Sequence, residues 1–200
     1  MTTLLKPGIE AVMRIFYNNT SESFHLRELS RRAALHGQSI MRHLDFLEKN
    51  RFLQSRREGN QRRYSIRRSK PVYAIFTMFD VEKAEKLPQI RKQAIETYLK
   101  NLPKQPVFAV LFGSTAKENY TEESDIDILL VTNSKVDTKG AEKEADVLNS
   151  VKISTFQIAH GAFVSELKLK EDKVVQSAVH TGYPLINHIS YYETLNYERI

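Results

Sequence analysis

The sequence predicts an α+β protein in two parts, a helical front part that ends in a β hairpin and a small mixed α/β rear part. Helical periodicity dominates the front, a short segment of alternating apolar residues follows it, and strands alternate with helices in the rear. Residues 1–70 carry 15 Lys+Arg against 6 Asp+Glu, whereas residues 71–200 carry 15 against 18. This asymmetry indicates that only the front part meets a polyanion.

The composition excludes several classes of protein. The chain has no cysteine, so disulfide frameworks and cysteine-based zinc sites are ruled out. It also has no run of 18 apolar residues and no recognisable signal peptide, so no membrane partner is expected. We therefore expect a soluble cytoplasmic protein.

Three helices are predicted in the front part. Four apolar residues with helical spacing mark the first: Ile9, Val12, Met13 and Phe16. The second is expected from about His25 to Ala34 and the third from about Gln38 to Asn50, joined by a tight turn at Gly37. This arrangement is typical of a helix-turn-helix.

The start of the third helix is the candidate surface for reading DNA bases. Recognition helices place their N-terminal residues against base edges, and Arg and Gln side chains pair with guanine and adenine. The alternative is an ordinary solvated helix face. The residues expected to contact DNA here are Gln38, Ser39, Met41, Arg42 and His43.

A basic hairpin is predicted from Phe52 to Ile66, with its turn at Glu58-Gly-Asn60. Four arginines crowd its tip, and like charges so close together repel unless an anion is present. Such a hairpin is suited to contacts with phosphate. The arginines are Arg56, Arg57, Arg62 and Arg63.

The order helix, helix, helix, hairpin over residues 8–67 resembles the winged helix-turn-helix domain of prokaryotic transcription regulators. Leu26-Arg-Glu-Leu29 in the second helix and Arg42-His-Leu44 in the third fit that pattern. The resemblance implies binding of double-stranded DNA as a homodimer. The alternative is a winged helix that contacts protein.

Two further helices are predicted between the parts, from Val72 to Glu85 and from Pro88 to Leu102. We expect a DNA-binding domain over 1–70, a helical linker or dimer region over 71–103 and a third region over 104–200. The first helix is unusually apolar, which fits a surface for a partner helix or for a domain interface, or else burial in a core. The apolar residues are Tyr73, Ile75, Phe76, Met78 and Phe79.

The rear part contains a pair of carboxylates beside a small-residue turn. A strand from Val107 to Phe112 leads into Gly113-Ser114, and a second strand begins at Asp125. Asp125 and Asp127 are two residues apart and therefore share one face of that strand. Carboxylates beside free backbone N–H groups suit Mg²⁺ and a nucleoside triphosphate.

The segments Leu111-Phe-Gly-Ser-Thr-Ala-Lys117 and Ser124-Asp-Ile-Asp-Ile-Leu-Leu-Val131 resemble the signature of the polymerase-beta type nucleotidyltransferase superfamily, especially its minimal prokaryotic members. The resemblance implies that Gly113 and Ser114 hold the triphosphate of ATP or another nucleotide. It also implies that Asp125 and Asp127 are catalytic and bind two Mg²⁺ ions. Lys117 is a further candidate phosphate contact, with simple solvation as the alternative.

Two positions depart from that family pattern. The family often has Arg-Gly where this chain has Lys117-Glu118. It also takes a third carboxylate from a neighbouring strand, but the candidate strand, Ile153 to Ile158, contains no acid. The nearest acids, Asp146 and Glu166, lie outside that strand.

Further along the rear part we expect a helix from Gly140 to Ser150, with Leu148 inward, and helices between Phe163 and Thr181. Gly182-Tyr-Pro184 is expected to end them. Tyrosines of the last segment are expected to pack against the domain: Tyr191, Tyr192 and Tyr197.

The sequence leaves two functions open. In the first, a DNA-binding transcription regulator carries an active domain that transfers a nucleoside monophosphate to a hydroxyl. By resemblance, the acceptor is a tyrosine of a partner toxin, as in antitoxins that adenylylate their toxin. In the second, the regulator is not catalytic, and its rear domain only senses nucleotide or mediates protein contacts. The missing third carboxylate favours the second function, and the Gly-Ser and Asp-x-Asp elements favour the first.

Overall fold

The computed structural model describes residues 5–196, and contacts between Cα atoms divide the chain into two compact units, Met1–Phe79 and Asp80–Ile200. The division falls within helix α4. In chain order, the elements up to that point are α1 (Pro7–Asn18), β1 (Ser23–His25), α2 (Leu26–Arg32), α3 (Gln38–Lys49), β2 (Leu53–Glu58), β3 (Gln61–Ile66) and α4 (Lys70–Glu85).

The first unit packs its helices against a three-stranded antiparallel sheet with the order β1-β3-β2. The apolar residues predicted for α1 are all buried. Strand β1 was not expected, because Asn18 to Ser23 reads as a break. It forms because Phe24 lies opposite Tyr64 of β3 and packs against Phe16, with 5.5 Å between the ring centroids.

Four of the five apolar residues singled out in α4 are buried, and Met78 is partly exposed. Tyr73, Ile75 and Phe76 are each less than a tenth exposed, and Phe79 is fully buried. The ring of Tyr17 in α1 lies edge-on to both Phe76 and Phe79, at 5.3 Å from each. Phe76 and Phe79 therefore pack in the core of the first unit.

The second unit is built around a four-stranded sheet with the order β6-β5-β4-β7. Strand β5 runs parallel to β6 and antiparallel to β4, which in turn pairs antiparallel with β7. In chain order, the elements are α5 (Gln89–Lys100), β4 (Phe108–Phe112), α6 (Gly113–Ala116), β5 (Ile126–Thr132), α7 (Lys139–Asn149), β6 (Ile153–Ala159), α8 (His160–Leu169), α9 (Lys173–Thr181), β7 (Tyr183–Ile186) and α10 (His188–Thr194).

Both faces of this sheet are covered. Ile126, Ile128 and Leu130 join one core cluster with residues of α5 and α7. On the opposite face, Phe108 lies edge-on to Phe163 of α8 at 5.3 Å and to Tyr191 of α10 at 5.4 Å. Because successive side chains alternate between faces, Asp127 lies on the Phe108 side of the sheet.

Gly182 ends α9 as predicted, but the residues after it form strand β7, which was not predicted. Tyr183 pairs with Leu111 of β4, so the chain returns to the sheet immediately after α9. A Cβ at Gly182 would lie 2.5 Å from the Ala178 carbonyl oxygen and 2.6 Å from that of Leu111. This glycine therefore permits a close approach between two backbones.

Leu148 of α7 was expected to face inward, but its side chain is exposed. The C-terminal tyrosines that lie within the described residues are buried. Tyr192 donates its hydroxyl to both carboxylate oxygens of the fully buried Asp80, at 3.0 and 2.8 Å. Tyr197 lies outside the described residues.

None of the helices within residues 5–196 has the length and apolar character needed to cross a lipid bilayer.

Candidate functional site

The two segments of the predicted nucleotide site meet where β4 ends and β5 begins. Phe112 lies opposite Asp127 in the antiparallel ladder, so the next residue, Gly113, faces the Asp127 carboxylate. A Cβ at Gly113 would lie only 2.0 Å from Asp127 Oδ2, and the φ angle of Gly113 is +71°. Both facts require glycine at this position. We call Gly113, Ser114, Asp125 and Asp127 the carboxylate corner.

The turn after β4 is a single short helix, α6. Ser114 is partly exposed, and its hydroxyl makes no hydrogen bond to any residue in the range 5–196. Lys117 is exposed and has no ion pair among these residues, which is the behaviour of a solvated side chain. Glu118 has a φ angle of 58°, a left-handed conformation that glycine adopts with less strain.

Asp125 immediately precedes β5 and has two partners on β6 or next to it. The Ser154 hydroxyl donates to Asp125 Oδ2 at 2.9 Å. The Lys152 Nζ atom lies 3.4 Å from the same oxygen, although the Lys152 side chain is 70% exposed. Part of the Asp125 charge is therefore balanced within the protein itself.

Asp127 lacks such partners. It is half-buried, and its carboxylate makes no hydrogen bond or ion pair with the described residues. Burial raises the pKa of Asp127, and the nearby charge of Asp125 raises that pKa further. Asp125 and Asp127 are two residues apart at the start of β5 and share one face, so a cation bound there would relieve the repulsion between the two carboxylates.

The position opposite Asp127 on the neighbouring strand is held by Ser154. Strand β6 contains no acid, and no group of three or more His, Cys, Asp or Glu side chains within residues 5–196 is placed to hold a metal ion. Two carboxylates still suit Mg²⁺, because this ion is commonly held by one or two protein carboxylates together with substrate phosphates. The corner therefore fits a metal that arrives with a nucleotide.

Two side chains near the corner were not identified from the sequence. Phe156 of β6 is 41% exposed and lies edge-on to Phe112, with 5.6 Å between the ring centroids. Arg91 of α5 is only 3% exposed and donates to Thr115, the residue after Ser114, at 2.9 Å. Neither could be recognised in advance, because a single apolar residue on a strand and a single arginine on a helix form no sequence motif.

In the first unit, most of the predicted DNA-reading residues are exposed along the first turns of α3. Gln38, Ser39, Met41 and Arg42 face solvent, and Arg42 Nη2 lies 3.5 Å from Gln38 Oε1. His43 is the exception. It is partly buried, and a Cβ at Gly8 would lie 2.3 Å from its Nε2 atom, so the ring packs on α1.

The four hairpin arginines fall into two kinds. Arg62 forms an ion pair with Glu48 at 2.6 Å, and Arg63 forms one with Glu58 at 3.0 Å. Arg56 and Arg57 are exposed and make no hydrogen bond or ion pair with residues 5–196. For two of the four arginines, a glutamate of the protein itself thus supplies the anion that relieves the repulsion.

A groove of 930 Å³ runs between α2, α3 and the hairpin. Three arginines and one glutamate line it, and the exposed Met41 of α3 also contributes to it. The charged residues along it are Arg27, Glu28, Arg31 and Arg62. The concave surface next to the predicted recognition helix therefore carries a net positive charge.

Comparison with protein-family models matches residues 92–187 to the nucleotidyltransferase domain. This segment contains the carboxylate corner and the sheet from β4 to β7. Nucleotidyltransferase domains generally use nucleoside triphosphates and Mg²⁺. No curated protein and no solved structure gave a match.

Proposed function

We propose that the second unit binds a nucleoside triphosphate with Mg²⁺ at the carboxylate corner and transfers its nucleoside monophosphate to a hydroxyl group. The close approach of Gly113 to Asp127 carries this proposal. It brings a small-residue turn directly beside a half-buried carboxylate that has no partner among the described residues. The family match over the same segment supports the reaction class.

In this proposal Gly113 and Ser114 hold phosphate oxygens, while Asp125 and Asp127 hold the metal. Bound Mg²⁺ supplies positive charge that offsets the charge developing on the phosphates. The acceptor oxygen forms a bond to the α-phosphorus, and the bond to pyrophosphate breaks. Pyrophosphate leaves, and the hydroxyl proton passes to a base or to water.

Nucleotide binding without transfer is the second candidate, and Ser154 favours it. A serine cannot accept the acceptor's proton or hold a second metal as a carboxylate would. The contacts of Ser154 and Lys152 to Asp125 also balance part of the negative charge that a second metal would need. The corner would then act as a nucleotide sensor.

One set of experiments separates the two candidates. The protein is incubated with Mg²⁺ and each of the four nucleoside triphosphates labelled at the α-phosphate, with and without hydroxyl acceptors. Label transfer that Asp127→Asn abolishes identifies the enzyme. Saturable binding without transfer identifies the sensor, and Ser154→Asp should then introduce measurable transfer. Absence of both binding and transfer contradicts the proposal.

We also propose that the first unit is a winged helix that binds double-stranded DNA. Its support is the order of three helices and a hairpin, the exposed polar residues at the start of α3, and the basic groove beside them. Binding to a labelled duplex over a series of salt concentrations tests it, because phosphate contacts make affinity fall steeply with salt. A lack of duplex binding at low salt would contradict it.

A further inference from the structure

Arg91 is a buried cation that joins the two halves of the carboxylate corner. Its Nη1 atom donates to Thr115 Oγ1 in α6 at 2.9 Å. Its Nη2 atom donates to the carbonyl oxygens of Thr121 and Ser124, both at 2.9 Å. One side chain thus fastens the turn after β4 and also the end of the loop that leads into Asp125.

Further contacts immobilise this arrangement. The Arg91 guanidinium stacks on the ring of Tyr120, with its Cζ atom 4.1 Å from the ring centroid. Thr115 is fully buried, and its Oγ1 atom lies 3.5 Å from the carbonyl oxygen of Asp125. The helix behind Arg91 is fixed as well, since Ala94 and Tyr98 of α5 are fully buried in the core.

The partners of Arg91 are unusual for a buried arginine. It has no ion pair with any residue in the range 5–196, and its acceptors are one hydroxyl and two carbonyl oxygens. Burying a charge without a counter-ion costs free energy, so this residue is a poor choice for stability alone. The planar fork does, however, hold three acceptors at a fixed separation.

We propose that Arg91 is a positioning residue for the carboxylate corner. It fixes the spacing between the Gly113–Ala116 turn and Asp125, the two sides between which a nucleotide with its metal must fit. The effect on nucleotide binding rests on the function proposed above. The effect on the geometry of the corner does not depend on that function.

The test compares Arg91→Lys and Arg91→Gln with Lys92→Gln, a control on the next residue of the same helix whose amine pairs with Glu85 near the surface. Amide hydrogen exchange is measured without ligand. We expect faster exchange at residues 113–125 in both Arg91 variants, while the core strands β4 and β5 keep their protection. Unchanged exchange at residues 113–125 would overturn the proposal.

Nucleotide binding provides the second readout. We expect the Arg91 variants to bind the nucleotide–Mg²⁺ pair about 10- to 100-fold more weakly, as is usual when residues that orient metal ligands are lost. The Mg²⁺ concentration for half-saturation should rise, an effect that a general loss of stability would not cause. Wild-type affinity in a folded Arg91 variant would overturn the proposal, whereas a wild type that binds no nucleotide contradicts only the function of the unit.

Thr115→Val keeps the experiment decisive if the Arg91 variants fail to fold. Valine has nearly the same shape, so this change removes one acceptor of Arg91 while preserving the packing. It should accelerate the same local exchange, and unchanged exchange would contradict the proposal. Where Arg91→Lys folds, the effects of Arg91→Lys and Thr115→Val should be less than additive, because both break the hydrogen bond between Arg91 and Thr115. Full additivity would argue against a shared role.

Discussion

Each of the two units contains a cluster of like charges, and the clusters differ in how their charges are paired within the protein. On the hairpin of the first unit, Arg56 lies opposite Arg63 and Arg57 lies opposite Arg62. Nearby glutamates pair with one arginine of each couple. In the second unit, Asp125 has partners on the side of β6, but Asp127 has none among the described residues and its pKa is raised.

The difference follows from where the charges lie. A hairpin on the surface leaves room for long side chains such as Glu48 to reach the arginines. Asp127 lies at the start of a buried strand, where no described side chain pairs with its carboxylate, so its charge stays unpartnered. Unpaired charge in a half-buried site is therefore the stronger indication of a ligand, because its retention costs free energy.

The largest expected effect concerns this unpaired charge. Asp127→Asn should weaken Mg²⁺-dependent nucleotide binding by at least about 100-fold. Loss of a side chain that binds the metal directly should lower affinity more than loss of a residue that only orients such a side chain. Titration with a fluorescent nucleotide at fixed Mg²⁺ measures it. Asp146→Asn, on the exposed face of α7, is the matched control and should bind like wild type. If Asp146→Asn lost as much nucleotide affinity as Asp127→Asn, the unpaired charge of Asp127 would have no special role in binding.

The hairpin arginines can likewise be divided into those with and those without a partner in the protein. Arg56→Ala with Arg57→Ala should weaken duplex binding by about tenfold and reduce the slope of log affinity against log salt by about two, because two phosphate contacts are lost. Arg62→Ala with Arg63→Ala should have the smaller effect on DNA and the larger effect on thermal stability, since both side chains have partners in the protein. Anisotropy titrations and melting curves measure both effects, and the reverse order would contradict this division.

The raised pKa of Asp127 predicts a dependence of stability on pH in the absence of Mg²⁺. The folded state binds this proton more tightly than the unfolded chain does. Its contribution to the free energy of unfolding is therefore fully present below the unfolded-state pKa and is lost as the pH rises through the folded-state pKa. Asp127→Asn should thus melt at a higher temperature than wild type at neutral pH, and this advantage should disappear in acid. An advantage that does not change with pH would exclude ionisation as its cause.

The smallest expected effect concerns the loop between the two halves of the corner. Glu118→Gly should stabilise the protein by about 1 kcal/mol, because glycine adopts the left-handed conformation of this residue without the clash of a Cβ atom. Chemical denaturation measures the change. Glu123→Gly is the control, since Glu123 has no positive φ angle, and it should not be stabilised.

The sequence was most informative where a pattern repeats over short distances. The strands of the corner were predicted to within about a residue of their ends, because an apolar strand of half a dozen residues followed by Gly-Ser or preceded by Asp-x-Asp has few alternatives. The helices of the first unit were also predicted closely, since His25–Ala34 and Gln38–Asn50 differ from α2 and α3 only at their ends. Periodicity alone specifies these elements.

Features that depend on distant pairing could not be predicted in this way. Strand β7 exists because it pairs with β4, which lies more than 70 residues earlier in the chain. The contact between Ser154 and Asp125 and those between Arg91 and the loop likewise join segments that are far apart in sequence. Periodicity failed at Leu148 as well, because an apolar side chain with helical spacing can also stand in water.

The hydrogen bonds from Tyr192 to Asp80 have a practical consequence for protein production. The family match ends at residue 187, so a shortened version cut at that limit would keep every residue of the carboxylate corner. It would nevertheless remove α10, and with it the Tyr192 hydroxyl that donates to the buried carboxylate of Asp80. Such a truncation should express poorly or aggregate, and restoring the chain through Thr194 should recover a well-behaved sample.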